Sequence, residues 1–92
     1  MDQELIDLIL DLLENRNFGK LSQLLKEENP ADIAQLMDEL NEEDLPTVFR
    51  LLPKELAADT FVEMESKEQM VLIKSFSDFE LQQVMEKIYV DD

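Results

Sequence analysis

Carboxylates are the reactive groups this chain has in quantity. Asp and Glu together number 23 against 8 Lys and Arg, for a net charge of −15, and there is no His, Cys or Trp. Carboxylate oxygens are hard donors suited to Mg²⁺ and Ca²⁺. The acids gather at Glu27-Glu28, Asp38-Glu39, Glu42-Glu43-Asp44, Glu63 with Glu65, and Asp91-Asp92. Without imidazole or thiolate, no zinc or transition-metal site of the usual kind can be built. The Ser and Thr hydroxyls have no imidazole to activate them. A single glycine rules out a Gly-rich phosphate loop. A carboxylate pair can do acid–base work, but among 23 acids close pairs arise by chance. Nothing in the pattern cradles a substrate, so the chain reads as a binding module and not an enzyme. No Asp-x-Asp-x-Asp-Gly calcium loop occurs, which excludes an EF-hand. The ordinary reading of any one cluster is a solvated helix face or end, and Glu42, Glu43 and Asp44 look like helix-start residues.

The charge also sorts partners. A field this negative repels nucleic acid and anionic lipid and attracts basic surfaces and divalent cations. Self-repulsion lowers stability, and a bound cation would relieve it. Apolar residues make up 45% of the chain, enough for a packed core. The length suits one domain over residues 1–92 with a modest core. The absence of cysteine fits a cytosolic setting. The longest apolar run, Met70-Val71-Leu72-Ile73, falls far short of the roughly 18 residues a membrane span needs. No direct membrane contact by this segment is expected.

The elements that must position the acids are helices. Leu, Glu, Asp, Gln and Met dominate and β-branched residues are sparse, a mix that favours helix over sheet. Seven short amphipathic segments follow one another with apolar spacing of three and four. The first runs from Asp2 to Asn15 with Leu5, Ile6, Ile9, Leu12 and Leu13 on one face, and Asn15, Asn17 and Gly19 interrupt it. The second, about Phe18 to Glu27, carries Leu21, Leu24 and Leu25. Asn29-Pro30 starts the third as an N-cap followed by an N1 proline, with Ile33, Leu36, Met37 and Leu40 inward. The fourth begins near Asp44, with Pro46 in its first turn and Leu45, Val48, Phe49 and Leu52 as its stripe. Pro53 opens the fifth, which buries Ala57, Phe61 and Met64. Ser66 with Gln69 and Ser77 with Glu80 read as capping boxes for the sixth and seventh. The sixth would bury Met70, Ile73 and Phe76, and the seventh Leu81, Val84, Met85 and Ile88. Leu8, Leu10, Val62 and Val71 fall off these stripes and suit packing between pairs or a docking face.

A weak repeat underlies the series. Pro30-Ala31-Asp32-Ile33-Ala34 returns as Pro53-Lys54-Glu55-Leu56-Ala57, 23 residues later. Each unit is a pair of short helices that cannot bury its stripe alone, so the units must stack. The expected fold is all-α, a right-handed superhelix of short stacked helix pairs with about seven helices. Tyr89-Val90-Asp91-Asp92 looks like the start of an eighth, as in a fragment of a longer chain.

Two stretches carry a resemblance. Asn29-Pro30-Ala31-Asp32-Ile33-Ala34-Gln35-Leu36-Met37-Asp38-Glu39-Leu40 and Leu51-Leu52-Pro53-Lys54-Glu55-Leu56-Ala57-Ala58-Asp59 resemble the N-terminal domain of MgtE-type magnesium transporters. That family typically reads His-Pro-Ala-Asp-Ile-Ala, then Leu-Leu-Pro, then Ala-Ala-Glu-Val, and later Ser-x-Asp-Asp. Asn29 replaces the usual His, keeping the N-cap role and removing a titratable group. Asp59 replaces the usual Glu, keeping the charge and shortening its reach. Tyr89 to Asp92 is similar to the last marker.

The resemblance implies a regulatory, magnesium-sensing domain at the cytoplasmic face of a multi-pass membrane protein. It implies a parent homodimer, with CBS domains of the same protein as partners. Mg²⁺ would bind weakly, shared between domains, bridging acidic faces and locking the pore shut when magnesium is plentiful. Matching motif positions carries the metal-ligand role to Asp59, Asp91 and Asp92. Ca²⁺ and Mn²⁺ would also accept carboxylate oxygen. The other reading is a protein-interaction module of the flagellar-motor-switch type, a similar helical superhelix with no metal role.

Overall fold

A computed structural model describes residues 2–76. Among them are six helices and no strand: α1 (Gln3–Glu14), α2 (Phe18–Lys26), α3 (Pro30–Met37), α4 (Asp44–Phe49), α5 (Lys54–Glu63) and α6 (Ser66–Ser75). The all-α expectation holds. The seventh and eighth helices expected from the sequence lie outside the described residues.

Local chemistry explains most of the boundaries. Asp2 caps α1, its carboxylate accepting from the Leu5 amide at 2.9 Å. The end of α1 is a Schellman turn, in which Asn17 N donates to Leu12 O at 2.9 Å and Arg16 N to Leu13 O at 3.1 Å. The left-handed residue there is Arg16, at φ 59°, where glycine is usual. Gly19 stands instead inside the first turn of α2, with right-handed backbone. Asn29 caps α3 as expected, accepting from the Asp32 amide at 2.9 Å while its amide donates back to the Asp32 carboxylate at 3.0 Å. Asn41 supplies the acceptor at the start of α4, taking the Asp44 amide at 2.9 Å. Pro53 ends one segment and opens α5, where its missing N–H leaves no bond unmade.

The core is one cluster that runs through all six helices. Ile9, Leu21, Leu25, Ile33, Leu36, Met37, Val48 and Leu72 are fully buried. Each such side chain is worth roughly 1.5–3 kcal/mol when taken from water. Phe49 sits at its aromatic centre, edge-on to Phe61 at 6.4 Å and tilted against Phe76 at 5.5 Å. Arg50 lies over the outer face of Phe76, 5.1 Å from the ring centre.

The principal packings are α1 on α2, α3 on α5 and α4 on α6. In the units that begin at Pro30 and Pro53, the first helix therefore stacks on the first and the second on the second. That is the packing expected when a repeated helix pair is laid on its neighbour.

The sixth helix departs from its expected register. Its N-cap is Glu65, so Ser66 is the first helical residue and not the cap. The Gln69 side chain does not close a capping box, because it donates to the Phe61 carbonyl at 2.6 Å. Met70 is half exposed, whereas Leu72 and Glu68 are buried. Glu68, Leu72 and Phe76 follow the i, i+4, i+8 line that faces the core. A stripe chosen by hydrophobicity alone passes over Glu68 and rotates the helix outward by one residue.

Candidate functional site

The acids are positioned by helix ends. Asp38 is the C-cap of α3 and Glu65 the N-cap of α6, while Glu68 stands one turn into α6. The packing of α3 on α5, and the tight turn from α5 to α6, bring these ends together. One carboxylate oxygen from each of Asp38, Glu65 and Glu68 lies within 4.8 Å of the other two. Asp38 and Glu65 are exposed, and Glu68 is only 6% exposed. Glu68 Oε2 is buried and has no hydrogen-bond partner.

An open depression of about 190 Å³ adjoins the group, with Asp38 and Glu65 in its wall beside Ala31, Ala34, Gln35 and Glu63. The small alanine side chains of α3 leave the space between that helix and the acids open to solvent. No side chain caps the N-terminus of α6, the positive end of its helix dipole.

Of the three residues to which the resemblance carries the ligand role, Asp59 alone falls among the described residues. Asp59 is exposed on α5, among residues whose inward neighbours Ala58 and Thr60 are buried. It does not belong to the Asp38–Glu65–Glu68 group. Asp91 and Asp92 lie outside the described residues. The sequence did display Asp38 and Glu65 within acid clusters, but 27 positions separate them and nothing in the spacing pairs them. Glu68 belonged to none of the clusters. The available signal was its place three residues after an acidic N-cap, on the same helix line as Leu72.

No helix among the described residues is long and apolar enough to cross a membrane. No curated protein shows a significant sequence match to the chain. The family of the MgtE intracellular N domain matches residues 28–92, which include both proline motifs and all three acids of the group. On that match, covering more than half its length, the chain belongs to the MgtE intracellular N domain family, a regulatory cytosolic domain of magnesium transporters.

Proposed function

We propose that this domain senses Mg²⁺ for the transporter that carries it, by docking its acidic face onto neighbouring CBS domains through shared Mg²⁺ ions. What carries the proposal is the family match over residues 28–92. The charge supplies the physical logic. A domain at −15 repels another acidic surface, and a divalent ion between the two converts repulsion into attraction. Docking then rises with ion concentration by mass action. Domain separation follows the ion, and a pore coupled to that separation follows too.

Asp59, Asp91 and Asp92 are the ligands this mechanism nominates. The exposure of Asp59 on a rigid, core-anchored helix suits a group that reaches toward another domain. Ligands divided between two domains make each half a weak binder alone, in the millimolar range or beyond.

Limited proteolysis of the full-length homodimer, with Mg²⁺ raised stepwise, tests the proposal. Mg²⁺ is expected to protect the boundary between this domain and the CBS domains. Asp59→Asn, Asp91→Ala and Asp92→Ala are each expected to move protection to higher Mg²⁺. Protection that persists in chelator would leave the domain a scaffold with no sensing role.

A further inference from the structure

We infer that Asp38, Glu65 and Glu68 form a hard-divalent-cation site built within this one chain, closing the end of α3 onto the start of α6. The site needs no second domain, so it stands apart from the shared ions proposed above and does not rest on them.

Two observations carry it independently. The first is the convergence of three carboxylate oxygens within 4.8 Å of one another. Three oxygens spread evenly around one ion lie about 3.6 Å apart for Mg²⁺ and about 4.2 Å apart for Ca²⁺, from metal–oxygen distances of about 2.1 and about 2.4 Å. The oxygens lie within 4.8 Å of one another, and the exposed side chains of Asp38 and Glu65 are free to close the remaining distance onto an ion. The second is Glu68. Its side chain is 6% exposed and its buried Oε2 lacks any hydrogen-bond partner. A carboxylate removed from water must recover its lost solvation from a hydrogen bond, a proton or a cation. With Asp38 and Glu65 beside it, a cation meets that need and offsets the repulsion among the three.

The donor set defines the ion. Three carboxylates and no nitrogen or sulfur ligand favour Mg²⁺, Ca²⁺ or Mn²⁺ over zinc or copper. The exposure of Asp38 and Glu65 on an open depression leaves room for the waters that such ions retain. The chain's contribution is one buried, immobile ligand and two mobile ones. Glu68 is held by the α6 core line, while Asp38 and Glu65 close over the ion from the two helix ends.

Mn²⁺ is the probe. It is titrated into the isotope-labelled 92-residue chain, and paramagnetic broadening of the amide signals is followed. Selective broadening at Asp38 and at Glu65 to Gln69 is expected, reversed by excess Mg²⁺. The exposed pair Asp38→Asn with Glu65→Gln should weaken the effect by roughly tenfold or more, with no loss of melting temperature in chelator. Glu68→Gln should do the same, and if that variant fails to fold the exposed pair still decides. Broadening spread evenly over the acids at Glu27-Glu28 and Glu42-Glu43-Asp44 would overturn the inference. So would a Mn²⁺ response unchanged in the exposed pair, since the ion would then be held by other acids. Either result leaves the proteolysis outcome for the full-length protein unaffected, so the two ideas fail separately.

Discussion

Gln69 donates its side-chain amide to the Phe61 carbonyl at 2.6 Å, bridging the turn between α5 and α6. The same carbonyl accepts from the Met64 amide at 3.2 Å, so one oxygen holds both sides of the turn. The bond fixes the rotation of α6 about its axis, and with it the inward aim of Glu68 one residue earlier. Gln69→Ala should lower stability by about 0.5–1.5 kcal/mol, because Met64 still satisfies the carbonyl. Chemical denaturation measures this directly. No loss in Gln69→Ala would mean that core packing alone sets the rotation of α6.

Arg16 occupies the left-handed position that closes α1. A side chain there meets the following carbonyl, a strain of roughly 1–2 kcal/mol. Glycine removes it and gives back part of the gain through a more flexible unfolded chain. Arg16→Gly should therefore stabilise the domain by about 0.5–1 kcal/mol, visible as a melting temperature several degrees higher. Arg16→Ala keeps the Cβ and loses the charge, so it separates strain from electrostatics. Equal stabilisation by both variants would assign the effect to charge.

Thr60 is fully buried in α5, and its hydroxyl oxygen has no hydrogen-bond partner. Valine has nearly the same shape without the polar atom. Thr60→Val should raise stability by about 1 kcal/mol, the desolvation penalty removed. For a domain of this size that is roughly 4–8 °C in melting temperature. A destabilised Thr60→Val protein would show that the hydroxyl has a partner, such as a buried water, that holds it in place.

Proline and asparagine made much of this architecture legible in the sequence. Asn29-Pro30 and Pro53 begin helices where their chemistry says they should, because a side-chain cap and a missing N–H act locally. The stripe of α1 was equally readable, since Ile6, Ile9, Leu12 and Leu13 are all apolar and all buried. The break between α1 and α2 fell where Asn15 and Asn17 marked it, as C-cap and N-cap, but the left-handed residue between them is Arg16, which has no preference for that conformation and gave no signal. In α6 the polar Glu68 takes a core-facing position, so counting apolar residues selected Met70 over Leu72. The acidic group itself was hidden because it joins α3 to α6 through tertiary packing, which no local spacing records.

The like-on-like stacking of the two units has a mechanical consequence. With α3 seated on α5 and α4 on α6, adjacent units meet along two side-by-side seams. One seam alone could act as a hinge; two resist twisting and bending together. A pair of units tied along two seams is thereby suited to shifting as one body, its acids keeping their relative places.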